Sequence, residues 1–82
     1  MDDIMTNDDN KLGRLIRAAR LAKKMTQAEA ARAAGWQSRQ AWDVIESGRQ
    51  SPSDKTICRM AAAVGANAGE WAAAQKRAAE SR

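Results

Sequence analysis

Apolar side chains recur every three or four residues in the first part of the chain, while basic residues occupy the positions between them. This period is typical of an amphipathic helix and predicts one over residues 11–24. Its apolar stripe consists of Leu12, Leu15, Ile16, Ala19 and Ala22 or Lys23. Met25 follows the helix and is expected to fill the core between this helix and the next.

A second helix is predicted over residues 27–34. Thr26 precedes it and Glu29 follows three residues later, the pattern of a capping box that satisfies two free backbone amides. The segment is nearly all alanine. Small side chains let another helix approach closely, but the same composition also suits any helix that only needs a good helix former. Gly35 is expected to end the helix with a positive φ.

A third helix is predicted over residues 38–47, with Ser38 as its N-cap. Ala41, Trp42 and Ile45 can face inward. Two short helices joined by a glycine-containing turn form a helix-turn-helix, and in DNA-binding versions the second helix lies in the major groove. The side chains that can face outward are those of Arg39, Gln40, Asp43 and Val44.

Arg, Gln and Asp near the start of such a helix can read bases. Arginine can fork onto guanine, glutamine can fork onto adenine, and an acidic group can accept a hydrogen bond from cytosine. Three ordinary surface residues would give the same pattern. Without the surrounding motif, this second interpretation is preferred.

Two further helices complete an all-α chain. Ser53 caps a helix over residues 54–64, whose core positions are Ile57, Met60, Ala61 and Val64 and which Gly65 ends. Cys58 in this helix is expected to be a half-buried structural thiol.

Asn67 begins the fifth helix, which runs to about residue 79, and Glu70 suggests a second capping box. This helix also carries a run of small residues and one tryptophan. They can form a surface shared with another helix or pack on the chain's own core, and both alternatives stay open. The surface consists of Trp71, Ala72, Ala74, Ala78 and similar small residues.

The charge is unevenly distributed along the chain. Four acidic residues lie within the first ten, so the net charge of +4 conceals +8 over residues 11–82, from 14 basic and 6 acidic side chains. Residues 1–9 are polar and without period, which predicts a disordered acidic tail before a single domain over residues 10–82. Thr6, Asn7 or Asn10 can cap the first helix. The basic body suits either a polyanionic partner or an ordinary solvated surface.

The composition argues against several other classes of protein. A single Cys and the absence of His leave neither an internal disulfide nor a cluster of metal ligands, so no metal, cofactor or catalytic site is expected. No apolar run approaches the ~18 residues of a membrane span. Asp2 and Asp3 have the wrong charge for a secretory leader, so we expect a bacterial or phage-encoded protein of the cytoplasm.

Several short pieces, in order and spacing, carry a resemblance to a known family. They are Leu-Gly-Arg-Leu-Ile-Arg-Ala-Ala-Arg from Leu12, Met-Thr-Gln-Ala-Glu-Ala-Ala from Met25, Gly35, Ile-Glu-Ser-Gly-Arg ending at Arg49, Pro52-Ser53, and Ala61 with Val64-Gly65. Over residues 12–71 the chain resembles the Cro and lambda-repressor (XRE) family of helix-turn-helix DNA-binding domains. The resemblance implies a compact five-helix lambda-repressor-like domain that reads DNA with its second and third helices.

The resemblance also implies roles for individual positions. Gln27 matches a glutamine that contacts a phosphate and braces the first recognition residue, while Ala31 and Gly35 match structural positions of the turn. The base-reading set is Arg39, Gln40, Asp43 and Val44, with Val44 against a thymine methyl. The set on the DNA backbone is Gln27, Ser38, Arg49 and Gln50. Arg20 and Glu46 match a partly buried salt bridge between the first helix and the end of the third, unless they are two unrelated surface charges.

The chain departs from the family in two places. Gly35 and Glu46 are one residue farther apart than is usual. If Glu46 is the anchor, the extra residue is Trp36 or Gln37 and the turn is longer; if Gly35 is the anchor, Ala41 and Val44 become core positions and the base-reading face rotates. Lys24 stands where the family often has glycine, so the first helix can end differently.

The leading hypothesis is a sequence-specific DNA-binding transcription regulator, a repressor that binds double-stranded DNA at a palindromic operator as a homodimer. The alternative is an antitoxin-like module that binds a toxin or other protein partner, with DNA binding secondary. An enzyme is not expected, since no catalytic group is set apart from ordinary surface charge.

Overall fold

The computed structural model describes residues 11–80, with side chains over residues 11–77. The predicted tail at residues 1–9 and the candidate caps Thr6, Asn7 and Asn10 lie outside the described residues. Within that range the chain forms five helices and no strands, which confirms the predicted all-α fold. The helices are α1 (Lys11–Ala22), α2 (Gln27–Ala33), α3 (Arg39–Glu46), α4 (Asp54–Val64) and α5 (Ala68–Glu80).

Polar caps start the helices where the sequence predicts them. Thr26 Oγ1 accepts a hydrogen bond of 3.1 Å from the Glu29 amide, and Glu29 Oε1 accepts one of 2.8 Å from the Thr26 amide, so the capping box at α2 is reciprocal. Ser38 and Ser53 accept from backbone amides in the first turns of α3 and α4. Each cap satisfies an amide that has no partner within its own helix.

Four helix ends share one geometry, in which a left-handed residue lets the next amide reach back to a carbonyl five residues earlier. These returning bonds are Met25 to Arg20 (3.1 Å), Trp36 to Ala31 (2.9 Å), Arg49 to Val44 (2.9 Å) and Ala66 to Ala61 (2.8 Å). The left-handed residues are Lys24 (φ 57°), Gly35 (φ 98°), Gly48 (φ 84°) and Gly65 (φ 67°). Lys24 is therefore the one non-glycine among the four, and α1 ends at Ala22 rather than at the predicted residue 24.

The core lies where all five helices meet. α2 contributes Ala30 and Ala31, which are buried completely or nearly so and let α2 lie close to both α3 and α4. The remaining buried apolar side chains include Leu12, Ile16, Trp42, Ile45, Ile57, Met60, Ala61, Val64 and Trp71. Small residues on one element and large ones on its neighbours fill this space.

The tryptophan and small residues of α5 were expected either to form a surface shared with another helix or to pack on the chain's own core, and they lie largely within that core. Trp71 is 2% exposed and Ala74 is 4% exposed, while Ala72 is half-buried. The side chain of Ala78 lies outside the described residues. Packing onto the same chain thus uses most of this apolar surface.

Cys58 is exposed, so the expectation of a half-buried thiol was wrong. The core stripe of α4 passes through Ile57, Met60 and Ala61, and Cys58 follows Ile57 by one residue, which rotates it out of that stripe. Among the described residues, no helix has the length and apolar character needed to cross a membrane.

Candidate nucleic-acid interface

The orientation of α3 is set by the side chains it buries. Trp42 is fully buried and Ile45 is 4% exposed, whereas Ala41 and Val44 are only half-buried. This is the arrangement expected when Glu46 is the anchor of the helix. The additional residue then lies in the turn between α2 and α3, which contains Trp36 and Gln37.

A buried ion pair holds the end of α3 to α1. Arg20 Nε donates to Glu46 Oε1 and Arg20 Nη2 donates to Glu46 Oε2, both at 2.9 Å, so the two planar groups meet in a fork. Trp42 Nε1 donates to the same Oε1 at 2.8 Å, and Arg20 Nη1 donates to the carbonyl of Met25 at 2.9 Å. The cluster therefore ties α3 to the end of α1 with charged hydrogen bonds on both partners.

These contacts shift the pKa values of both groups. Burial alone would raise the pKa of Glu46, but the hydrogen bonds from Arg20 and Trp42 outweigh it and hold that pKa below its ordinary value of 4.5. The hydrogen bond to Glu46 raises the pKa of Arg20. Both side chains are thus charged at neutral pH.

A second basic residue, Arg59 of α4, holds the turn between α2 and α3. Its Nε and Nη2 donate to the carbonyl of Ala34 at 3.1 and 2.9 Å, and its guanidinium lies 5.3 Å from the centre of the Trp36 ring. A Cβ on Gly35 would come within 2.8 Å of Arg59 Nη2, so the contact also needs glycine there. Arg59 is thus a positioning residue for α3.

Sequence reasoning did not single out Arg59. Its role depends on the phase of α4 relative to the turn, and the residues involved are 25 positions apart in the chain. A cue lay in the long turn itself. The turn contains a tryptophan, and the face of a tryptophan ring is a favourable site for an arginine guanidinium.

On the opposite side of α3, four of the predicted contact residues are joined in a chain of hydrogen bonds that we call the polar chain: Arg39, Gln27, Asp43 and Arg49. Arg39 Nη1 donates to Gln27 Oε1 at 3.1 Å, and Gln27 Nε2 donates to Asp43 Oδ1 at a longer 3.3 Å. Arg49 Nη2 lies 2.7 Å from Asp43 Oδ2. The polar chain joins the first turn of α2, the part of α3 from Arg39 to Asp43 and the loop after α3.

The other predicted contact residues lie beside the polar chain. Gln40 and Gln50 are exposed, and Ser38 is exposed with its Oγ engaged by the Gln40 amide at 3.0 Å. Val44 is half-buried and packs against the core, so only part of its side chain is exposed. Arg20 and Glu46 lie on the buried side and belong to the support of α3 rather than to its outer surface.

The loop after α3 is held at both ends. At its start, just after Gly48, the backbone amides of Arg49 and Gln50 both donate hydrogen bonds to the carbonyl of Val44, at 2.9 and 3.0 Å. Farther on, Gln75 of α5 donates to the carbonyl of Pro52 at 3.0 Å. The loop therefore keeps Arg49 and Gln50 beside the outer surface of α3.

Comparison with known proteins gives one result that identifies the family. No curated protein and no solved structure matches the chain significantly. A family model described as a helix-turn-helix domain matches residues 11–74, which covers α1 to α4 and about half of α5. The chain therefore belongs to the helix-turn-helix domain family, within the XRE/Cro-like group of DNA-binding domains.

Proposed function

We propose that this protein is a sequence-specific transcription regulator that binds double-stranded DNA through α3 and represses transcription by occupying a palindromic operator as a homodimer. The polar chain carries the proposal. It lines the exposed side of α3 with two side chains of that helix, Arg39 and Asp43, and with the neighbouring Gln27 and Arg49. The opposite side of α3 is anchored by Arg20 and Glu46. A rigidly held helix with polar groups facing out is what base reading requires.

The base-reading role falls to α3. In the proposed complex Arg39 forks onto guanine, Gln40 onto adenine, and Asp43 accepts from an amino group of cytosine or adenine. Val44 contacts a thymine methyl with the part of its side chain that remains exposed. Gln27 holds Arg39 through its 3.1 Å hydrogen bond, which limits the rotamers that Arg39 can adopt before binding.

The phosphate contacts fall to residues around α3. Gln27 and Ser38 lie at the start of α2 and α3, and Arg49 and Gln50 lie in the loop that follows α3. The basic body of the chain, at +8 over residues 11–82, supplies the long-range attraction. Phosphate neutralisation provides most of the affinity in such complexes and makes it sensitive to salt.

A homodimer follows from the small size of the reading surface. A single α3 reaches few base pairs, and two copies about one DNA turn apart double the contacts and require a palindromic site.

Selection of bound sequences from a random pool of duplex DNA tests this function directly, with the oligomeric state measured by sedimentation. We expect a palindromic motif and a dimer on it. Recovery of no motif, together with equally weak binding to all duplexes at ~150 mM salt, would contradict the operator model. A tightly co-purifying second protein combined with that result would favour a partner-binding role instead.

Two substitutions separate base reading from phosphate contact. Gln40→Ala is expected to lose discrimination at particular base pairs, by about 1 to 3 kcal/mol. Arg49→Ala should weaken binding to all sequences alike and reduce the salt slope by about 1. Lys76→Ala, an exposed lysine on α5, serves as the control and should change neither property. If Arg49→Ala altered base preference while Gln40→Ala did not, the assignment of α3 as the reading helix would be wrong.

A further inference from the structure

We infer that Asp43 and Arg49 form an exchangeable ion pair that sets sequence specificity by penalising the wrong DNA. In the free protein Asp43 holds Arg49. In the complex Arg49 moves to a phosphate, and Asp43 must then find an amino group on a base. The inference rests on the proposed function and goes beyond it, because it assigns Asp43 a repulsive role toward other sequences.

The geometry of the pair permits this exchange. Arg49 Nη2 and Asp43 Oδ2 are 2.7 Å apart, but the side chain of Arg49 is 65% exposed and that of Asp43 is 31% exposed. Exposed ion pairs are stabilised weakly, so a phosphate can replace the carboxylate as the partner of the guanidinium. Arg49 also follows the left-handed Gly48, so it lies in the loop, outside α3. Among the described residues its side chain makes one further hydrogen bond, from Nε to Ser47 Oγ at 3.0 Å, and this bond is exposed as well.

The remaining contacts leave Asp43 in place when Arg49 departs. Its second oxygen, Oδ1, accepts from Gln27 Nε2 at 3.3 Å, and Gln27 in turn is held by Arg39. Asp43 also lies on a helix whose buried side is fixed by Trp42 and Glu46. The carboxylate therefore cannot follow Arg49 and would face the DNA without its counter-charge.

An uncompensated carboxylate beside DNA discriminates between bases. The amino groups of cytosine and adenine can donate to it, whereas the oxygen of thymine and the two acceptors of guanine repel it. Binding to a sequence with thymine or guanine facing Asp43 thus carries a cost that a sequence with cytosine or adenine there avoids, a case of specificity by rejection of competitors.

The test compares Asp43→Asn with Glu70→Gln, which removes one exposed acidic charge from α5 and so matches the change in net charge. Binding is measured by fluorescence anisotropy against random-sequence duplexes and against the best duplex from the selection. Asp43→Asn should bind random duplexes about three- to tenfold more tightly than Glu70→Gln does, and the ratio of selected to random affinity should fall by a similar factor. Thermal melts check that both variants are folded.

A double-mutant cycle with Arg49→Gln tests the exchange itself. If Arg49 must leave Asp43 to reach a phosphate, Arg49→Gln should lose more affinity for random duplexes in the Asp43→Asn background than in the wild type. Additive effects, or equal behaviour of Asp43→Asn and Glu70→Gln on random duplexes, would overturn the inference. If selection with the wild type recovered no sequence motif, the proposed function would be contradicted instead. The measurements on random duplexes would still show whether Arg49 exchanges Asp43 for a phosphate.

Discussion

The indole Nε1 of Trp42 donates a hydrogen bond of 2.8 Å to Oε1 of Glu46, one turn farther along α3. Both side chains are buried, and the same carboxylate receives the forked guanidinium of Arg20. The carboxylate of Glu46 thus accepts hydrogen bonds from α3 itself and from α1, and so joins the two helices. This buried cluster orients the outer surface of α3. Its contribution to the stability of the fold can be measured in the absence of DNA.

Replacing Glu46 with Ala should lower the free energy of unfolding by about 3 to 5 kcal/mol, because Arg20 would be left buried and without its partner. Chemical denaturation monitored by circular dichroism measures this change. The exposed Glu70→Gln is the control, with an expected change within about 0.5 kcal/mol. Equal stabilities of the Glu46→Ala variant and the wild type would refute the structural importance of the pair.

Acid should weaken the wild type more than a Glu46→Gln variant. The pKa of Glu46 in the folded state is held below its ordinary value of 4.5, so the unfolded chain binds more protons near that pH. The stabilisation is complete above pH 4.5 and is lost as pH falls through the lower, folded pKa. Denaturation midpoints measured from pH 6 downward, at about half-unit steps, should converge for the two proteins at low pH. Parallel curves would show that Glu46 has no depressed pKa.

Lys24→Gly should stabilise the protein by about 1 kcal/mol, because lysine at φ 57° carries a steric cost that glycine lacks. The other three helix ends of this geometry already have glycine at the matching position. The control is Lys24→Ala, which removes the charge but keeps the Cβ, and it should leave stability within about 0.5 kcal/mol of the wild type. A gain for alanine equal to that for glycine would point to charge rather than backbone strain.

Arg59→Met should reduce stability by about 1 kcal/mol, since the carbonyl of Ala34 loses two hydrogen bonds and Trp36 loses its cationic neighbour. Lys55→Met, at an exposed position on the same helix, is the matched control. Native-state hydrogen exchange at the Gly35 and Trp36 amides gives a local readout, with faster exchange expected in Arg59→Met. Unchanged exchange at these amides would mean that Arg59 does not hold the turn.

The local features of the fold could be predicted because their causes are local. Thr26 and Glu29 cap α2 through bonds within four residues, and Gly35 and Gly65 end helices because glycine tolerates a positive φ. Hydrophobic spacing and capping residues together predicted the five helices, with every start within one residue of its observed position. The misplaced end of α1 is a small failure of the same reasoning: a lysine does not by itself indicate a left-handed conformation, and only the family resemblance, with glycine often at this position, pointed to Lys24.

By itself, therefore, the sequence determined five helices, the N-caps of α2, α3 and α4, and the order of the helix-turn-helix pieces. Only the tertiary structure decided between two orientations of α3, because burying Trp42 rather than Ala41 depends on what α1 and α2 offer opposite it. The same holds for Arg59 on the turn, the exposure of Cys58 and the pairing of Asp43 with Arg49. These features depend on the phase of one helix against another, and packing of the whole core sets that phase.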